Sequence, residues 1–594
     1  MHSGQDPEGE MEMAILNAAL NWPRPNVSRD FQYGTAGFRM RADLLDFVIF
    51  TVGVLAGLRS RKCYSSTIGV MITASHNPAE DNGVKLVDPM GEMLEQDWEI
   101  WATRFANAPS AETLRNAYCN AVDHLKVEQQ RPARVIFARD TRPSGERLVK
   151  ALKAGLDAAG AEYIDYGIAT TPQLHYLVRA TNTQNQPHPY GEVSLEGYYK
   201  KIAGAFEQAM KYTAADGPVT VDCANGVGAP KLRELIKYLP KDKLVIRVVN
   251  DKIEDPEELN SKCGADYVKT RQAAPLAFDG KNYDRWASLD GDADRIVYYF
   301  QSEGHQFRLL DGDRIATLAA GFIGDLVRRA GLDEKIKLAV VQTAYANGSA
   351  TKYVEQNLKL KVECTPTGVK HLHHVAARYD IGVYFEANGH GTVLFSEAAL
   401  KAIRKHEPES PGQLESLAML SALADLINQT VGDALSDLLL VEVVLAHKQW
   451  TVKEWLGTYT DLPNKLAKII VQDRNNYRTI PGTAERKLER PPGVQEKVDQ
   501  EVAKYKEGRC FVRASGTEDA VRIYGEASDT FEVEDMVAKV STIIHRNSAG
   551  SPIEEAFAIQ KFRRADQEHD QGLQRANDRT PNPPGPLPPR TGGL

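Results

Sequence analysis

Four stretches of this chain repeat one local pattern, which restricts the fold more than any other feature. A short β-branched run is followed by a Gly- or Asp-rich turn and then by an amphipathic helix. "TIGVMITASHNP", "ARVIFARDTRPSGERLVKAL", "PVTVDCANGVGAPKLREL" and "LAVVQTAYANGSATKYV" all read this way. In the second, Val135–Phe137 form the strand, Ser144 stands where a cap belongs, and Leu148, Leu152 and Leu156 recur at i+4 on one helix face. Strands alternating with helices imply βαβ units and mostly parallel sheets. Ligands of open α/β sheets sit at the carboxyl ends of strands, so chemistry is expected in the loops after these runs. No fixed-period internal repeat is visible. At ~150 residues per domain, the 594 residues suggest several cores rather than one.

The 72 Lys+Arg against 80 Asp+Glu leave a net charge of −8. That balance argues against a nucleic-acid coat or a polybasic membrane binder, while leaving room for a local basic pocket. Cys63, Cys119, Cys223, Cys263, Cys364 and Cys510 are scattered and form no C-x-x-C pair. Neither a disulfide scaffold nor a structural zinc site is expected. Met1–Glu10 is polar and has no signal-peptide core. The longest apolar run, Phe47–Leu58, is too short to span a bilayer and reads as a buried helix. A reduced, cytoplasmic setting is the expectation. Composition shifts place a disordered N-terminus over 1–12 and domains over 13–178, 179–301, 302–440 and 441–562. Arg179–Glu192 reads as an exposed loop. A Pro/Gly-rich tail over 563–594 buries too little apolar surface to order itself.

Four strings carry chemistry. In Asp290-Gly291-Asp292-Ala293-Asp294-Arg295, three carboxylates at i, i+2 and i+4 precede an apolar strand. Three hard oxygen ligands suit Mg²⁺ or Ca²⁺, and Arg295 is placed to pair with a carboxylate or phosphate. An EF-hand is excluded because Gln301 stands where the twelfth-position Glu belongs. Thr73-Ala74-Ser75-His76-Asn77-Pro78 sets a serine and a histidine at a strand end, with Lys85 downstream. A serine at a strand end beside a histidine suggests an activated hydroxyl, but adjacent residues seldom present a nucleophile–base pair directly, so the string alone makes a poor case for a Ser-His dyad. Arg513-Ala514-Ser515-Gly516-Thr517-Glu518-Asp519, with Arg522, offers hydroxyls, backbone N–H groups and two guanidinium groups to an anion. Glu386-Ala387-Asn388-Gly389-His390-Gly391 suits hydrogen bonding to sugar hydroxyls, and Thr367, Gly368 and Lys370 lie upstream. His371, His373 and His374 read as an exposed helix face. Gly226-Val227-Gly228 lacks the third glycine of a dinucleotide fingerprint, because Lys231 occupies its place.

In this order, "TASHNP", "DGDADR", "EANGHG" and "RASGTED" resemble the phosphoserine, metal, sugar and phosphate loops of the α-D-phosphohexomutase family. The likeness spans about Phe31 to His545. It implies three α/β domains with mixed, mostly parallel sheets and a smaller C-terminal α+β domain around a central cleft. "EANGHG" differs from the family's more usual G-E-x-S-G-H. "ARDTRPSG", Ala138–Gly145, follows the serine loop instead of preceding it. Both features, with "LNSKCGADYVK", "NQTVGDALSDLLLVE" and "YTDLPNK", resemble the branch that acts on N-acetylated amino sugars.

The resemblance implies interconversion of N-acetylglucosamine 6-phosphate and N-acetylglucosamine 1-phosphate, feeding UDP-N-acetylglucosamine synthesis. Ser75 would carry the phosphoryl group, with a hexose 1,6-bisphosphate as primer and intermediate. Mg²⁺ would be held by Asp290, Asp292, Asp294 and the Ser75 group. Arg39 resembles a family arginine near that phosphate. His76 and Lys85 are candidates for proton transfer or electrostatic support. Arg513, Ser515, Gly516, Thr517 and Arg522 would grip the phosphate that is not reacting. Glu386, Asn388, Gly389, Thr367 and Gly368 would place the sugar. The partner expected is a small sugar phosphate, with no nucleic acid and no membrane. A phosphoglucose- or phosphomannose-type mutase, an aspartyl-phosphate phosphatase using an aspartate of "DGDADR", and a catalytically silent relative stay open as alternatives.

Overall fold

The structure, a computed structural model, describes residues 7–34, 36–515 and 519–547. One compact unit runs through Asp461 and a second begins at Leu462.

The first unit contains three sheets. The first consists of β1 (Phe38–Arg41), β2 (Thr67–Ile72), β3 (Asp81–Val87), β4 (Ala133–Arg139) and β5 (Ala161–Ile168), in the order β1-β3-β2-β4-β5. The second consists of β6 (Val219–Asp222), β7 (Ile246–Val249), β8 (Arg285–Leu289), β9 (Ile296–Gln301) and β10 (Phe307–Leu310), in the order β10-β9-β8-β6-β7. The third consists of β11 (Leu338–Thr343), β12 (Lys361–Thr365), β13 (Ile381–Phe385) and β14 (Gly391–Phe395), in the order β12-β11-β13-β14. Strands β2, β8 and β13 are buried along their whole length, which accounts for their near-continuous apolar runs.

Each sheet makes the same switch. A buried strand pairs in parallel on one side and antiparallel with the next strand in the chain on the other. This holds for β2 with β4 and β3, for β8 with β6 and β9, and for β13 with β11 and β14. The connecting loops carry "TASHNP", "DGDADR" and "EANGHG". The architecture is therefore repeated three times although the sequence shows no fixed period.

The helix Asp46–Lys62 is buried on nearly every side, as its all-round apolar run dictates. It meets the helix Gly145–Ala158 closely. A Cβ at Gly53 would lie 2.6 Å from the Leu152 carbonyl oxygen, and one at Gly155 2.1 Å from that of Phe50.

Several expectations need correction. The serine loop leads into strand β3, not a helix, because Asp81–Val87 finds partners in both β1 and β2. Ser144 occupies the N-cap position without capping; its hydroxyl accepts from Asn82 Nδ2 at 2.9 Å. Residues 7–12, expected to be disordered, lie in the helix Pro7–Ala19. Position 178 falls inside the helix Thr171–Thr183, and position 440 inside the helix Ala434–Lys448. β10 pairs with β9, so the second sheet extends beyond Gln301. His373 is buried, not exposed, with Nδ1 3.0 Å from the Tyr384 hydroxyl. Of the expected loop Arg179–Glu192, residues up to Thr183 belong to the helix Thr171–Thr183, with Ala180 and Thr183 buried, and Gln184–Pro189 is exposed. The tail over 563–594 lies outside the described residues.

The second unit is α+β. Its antiparallel sheet has the order β15 (Asn464–Ile470), β19 (Ala520–Glu526), β18 (Arg509–Ala514), and a ribbon joins β16 (Arg478–Thr479) to β17 (Leu488–Arg490). The helix Thr530–Asn547 seals the sheet through Met536, Val537 and Val540 against Val512, Val521 and Ile523. Among the described residues, no helix is long and apolar enough to cross a membrane, and no cysteine is paired.

Candidate active site

Ser75 sits at the carboxyl end of β2 with φ +53° and is 1% exposed. The left-handed region costs a β-carbon-bearing residue about 1–2 kcal/mol, so the surrounding loop must hold it there. In this pose Ser75 Oγ donates to Asp290 Oδ2 at 2.6 Å.

Asp290, Asp292 and Asp294 are all buried and present carboxylate oxygens within 4.8 Å of one another. The turn that gathers them places Ala293 at φ +57°. Asp290 Oδ1 accepts from the backbone N–H groups of Asp294 and Arg295 at 3.0 and 3.1 Å. Asp292 Oδ2 accepts from the Thr171 hydroxyl at 2.6 Å. Lys85 Nζ lies 3.5 Å from both Asp292 Oδ2 and Asp294 Oδ2, and Arg295 Nε 3.7 Å from both Asp290 Oδ2 and Asp294 Oδ1.

Burial, then the neighbouring charges of Asp294 and Asp292, push the Asp290 carboxyl well above its ordinary range. Burial would also raise Asp294. There His390, Lys85 and Arg295 together outweigh it and hold that carboxyl well below the ordinary range. Asp292 Oδ1 is buried with no hydrogen-bond partner, while Asp294 Oδ1 faces His390 Nδ1 at 3.3 Å and Arg295 Nε at 3.7 Å. A buried, unpartnered carboxylate oxygen beside two further carboxylates is costly unless a cation joins them, and an all-oxygen set suits Mg²⁺. The residues therefore fit a divalent ion.

The other predicted residues divide. Arg39 Nη1 donates to Asn77 Oδ1 at 3.3 Å and so reaches the serine loop. His76 is half-buried with Nδ1 unpartnered; burial, then Arg295 and Arg39, lower its pKa to about 3, so the ring is neutral. His390 serves the metal loop. Its Nδ1 lies 2.7 Å from the Asp294 carbonyl oxygen, and the residue bridges to Arg295. Asn388 Nδ2 donates to Glu386 Oε2 at 3.2 Å, and Gly389 takes φ +88°. Gly368 takes φ +123° ahead of the helix Val369–Ala376, following Thr367. Lys370 is buried in an ion pair with Glu99 and takes no part in the site.

In the second unit, Arg513 and Arg522 face each other across β18 and β19, and Lys468 of β15 is the next partner of Arg522. Directly paired residues share a face of the sheet, so the three basic side chains lie together, and Arg513 Nε is 3.4 Å from Glu485 Oε2. Ser515 N–H donates to the Ala520 carbonyl at 2.8 Å, and Arg474 Nη1 donates to the Ser515 carbonyl at 3.2 Å. Gly516 and Thr517 lie outside the described residues.

Thr171, Arg142, Asn260, Arg474 and Lys468 escaped the sequence reading. Arg142 and Asn260 lay inside quoted strings, "ARDTRPSG" and "LNSKCGADYVK", but without a role.

A serine hydroxyl aimed at a buried carboxylate triad, on loops that repeat the same strand-end switch, defines a phosphoryl-transfer enzyme of the α-D-phosphohexomutase class. Family models agree. Phosphoglucomutase/phosphomannomutase alpha/beta/alpha domain I matches residues 57–108 and 101–186, and the C-terminal domain of that family matches 466–543. Phosphoacetylglucosamine mutase AMG1 domains II and III match 193–297 and 311–450. Phosphoacetylglucosamine mutase of Candida albicans is 49% identical over 90% of this chain and 99% of its own length. The Homo sapiens protein is 47% identical over 87% of this chain and 94% of its own. The crystal structure of Aspergillus fumigatus N-acetylphosphoglucosamine mutase in complex with GlcNAc-6P and magnesium is 58% identical, covering 91% of this chain and 99% of that one, with a TM-score of 0.88. The chain belongs to the phosphoacetylglucosamine mutase family.

Proposed function

We propose that this protein interconverts N-acetylglucosamine 6-phosphate and N-acetylglucosamine 1-phosphate through a phosphoserine at Ser75 and a 1,6-bisphosphate. The observation that carries the reading is the 2.6 Å contact of Ser75 Oγ with the carboxylate triad, in a chain of this family. The Aspergillus relative solved with GlcNAc-6P and magnesium supports the choice of substrate and metal.

In the first half-reaction the bond from phosphorus to Ser75 Oγ breaks as one forms to the free sugar hydroxyl, and that hydroxyl loses its proton. In the second, Ser75 Oγ takes the other phosphoryl group and the sugar oxygen regains a proton. Such transfers depend on positioning and charge neutralisation. Mg²⁺, held by Asp290, Asp292, Asp294 and the Ser75 group, would neutralise charge on the transferring phosphoryl. Lys85 and Arg295 bring positive charge to the triad, and Arg39 steadies the serine loop through Asn77. His76 and Lys85 are the candidates for proton transfer or electrostatic support; with its pKa held to about 3, neutral His76 is a weak base and fits the second role better. Glu386, Asn388, Gly389, Thr367 and Gly368 are assigned to the sugar. Arg513, Ser515 and Arg522, with Gly516 and Thr517, are assigned to the phosphate that is not reacting, and Lys468 joins them. On this reading Arg522→Ala raises KM more than it lowers kcat. Unpaired cysteines and a sugar-phosphate substrate accord with a cytoplasmic setting, where the product would feed UDP-N-acetylglucosamine synthesis.

The test is a paired kcat/KM on N-acetylglucosamine 1-phosphate and glucose 1-phosphate, with Mg²⁺ and a trace of the matching bisphosphate. Preference for the acetylated sugar, lost in Ser75→Ala, is expected. Preference for glucose would overturn the specificity. A variant of the Aspergillus relative was solved with glucose 1,6-bisphosphate, so the sugar without the acetyl group is the second reading.

A further inference from the structure

The Ser75 peptide is held at both ends by groups that no step of the reaction calls on. Asp140 and Arg142 stand in the turn after β4, each 1% exposed. Asp140 Oδ2 accepts from the Thr73 hydroxyl at 2.7 Å and from Arg142 Nε at 3.0 Å, while Oδ1 accepts from the Arg142 backbone N–H at 3.0 Å. Thr73 Oγ1 in turn accepts from the Ser75 backbone N–H at 3.1 Å.

On the carbonyl side, Arg142 Nη2 donates to the Ser75 and Asn77 carbonyls at 2.9 and 2.8 Å. Arg142 Nη1 donates to the Asp81 carbonyl at 3.0 Å and to that of Pro78. The guanidinium has five N–H donors, and all five are engaged. One goes to its counter-ion Asp140; three go to the loop that carries the serine and one to Asp81, the first residue of β3. Asn260, ahead of the helix Gly264–Arg271, adds a second bolt. Its Nδ2 donates to the same Ser75 and Asn77 carbonyls, at 3.0 Å each.

A fork of this kind does more than fill space. A lysine presents three donors from one point and cannot span four carbonyls. The serine must also keep one orientation while its oxygen gives up and regains a phosphoryl group. Its left-handed backbone has no glycine to relax the torsion, so the hold comes from outside.

We infer that Arg142, seated by Asp140, and Asn260 are positioning residues that lock the Ser75 peptide with Oγ facing the triad. Their loss slows phosphoryl transfer and leaves substrate binding nearly intact. The inference rests on Ser75 as the phosphoryl carrier.

Full-length Arg142→Lys, Asn260→Ala and Ser75→Ala test it. For each, kcat, KM and melting temperature are measured with Mg²⁺ and N-acetylglucosamine 1-phosphate. The fraction of chains phosphorylated after long incubation with glucose 1,6-bisphosphate is read by intact mass. Arg142→Lys is expected to lower kcat per phosphorylatable chain about 100-fold, as a displacement near 1 Å does, with KM within about threefold of wild type. Asn260→Ala is expected to lower it about tenfold, like the loss of other supporting contacts. A residue that merely held the fold would lower the melting temperature and the phosphorylatable fraction, but not kcat per phosphorylatable chain. Values within twofold of wild type in both variants overturn the inference. Should Arg142→Lys fail to fold, Asn260→Ala decides, since its half-buried side chain leaves the core untouched. Wild-type turnover by Ser75→Ala would overturn the assignment of Ser75 itself, which is a separate failure.

Discussion

Gly291→Ala is the sharpest probe of how the serine and metal loops meet. A Cβ there would lie 2.4 Å from the Ser75 carbonyl oxygen and 2.9 Å from Asn260 Nδ2. Ordinary contact begins near 3.4 Å, so one loop must move by about 1 Å. The metal loop has nowhere to go. Behind it, a Cβ at Gly226 would already sit 2.5 Å from the Gly291 carbonyl oxygen, which accepts from the Val227 N–H at 3.1 Å. The serine loop must therefore yield. Overpacking of this kind costs about 1–3 kcal/mol of stability. A 1 Å shift of a reacting group costs about 100-fold in rate, or about 2.7 kcal/mol of barrier. The assay is kcat at saturating N-acetylglucosamine 1-phosphate and Mg²⁺, beside a denaturant melt. A kcat within threefold of wild type, with an unchanged melt, would refute the contact and the reasoning built on it.

Three further outcomes are expected. At about 100 times its Kd, Mg²⁺ should stabilise the wild type by about 2.7 kcal/mol in a thermal melt. Asp290→Asn should lose that gain while standing at or above the wild type in chelator; an equal Mg²⁺ gain in the variant would speak against the triad. Arg285 and Glu442 form a buried pair at 2.9 Å. Arg285→Met should cost about 3–5 kcal/mol by stranding the carboxylate, and adding Glu442→Met should return part of it; no difference between single and double variants contradicts this. His373 is held to about 4 by burial, then by His374 and Arg179. Because its folded pKa lies below the unfolded value near 6.5, the unfolded chain takes up the proton first and stability falls as the pH drops through that window. Between pH 6.5 and 5 this amounts to about 1.6 kcal/mol, seen as a steeper loss in wild type than in His373→Gln; parallel curves would rule it out.

What the sequence revealed follows from how chemistry is encoded. Residues assigned to ligand and nucleophile roles crowd into short strings, so Ser75, the three aspartates and the Arg513–Arg522 pair could be singled out from the sequence. Their supports could not. Arg142 reaches Ser75 across 67 positions, Thr171 reaches Asp292 across 121, and Asn260 reaches Ser75 across 185. No local pattern marks such pairings. The same limit explains β3. "DNGVKLV" has no strong strand period of its own, and its two neighbouring strands decide its conformation. His373 was misjudged because a run of histidines looks like a wet surface. Its burial is permitted by the Tyr384 hydroxyl on a strand that begins only after the helix has ended.

The threefold switch gives these scattered contacts one origin. A buried strand that changes from parallel to antiparallel pairing must eject its connecting loop at its carboxyl end, and the chain does so at Thr73, Asp290 and Glu386. The metal loop is the middle member. It touches the serine loop through Asp290 and the sugar loop through Asp294 and Arg295, which meet His390. The metal loop therefore offers the sugar loop a route to the serine, through Asp294, Arg295 and Asp290. His390→Ala should disturb Asp294 before it disturbs the sugar. A loss of Mg²⁺ affinity larger than the rise in KM is the signature expected, and a rise in KM alone would place His390 on the sugar instead.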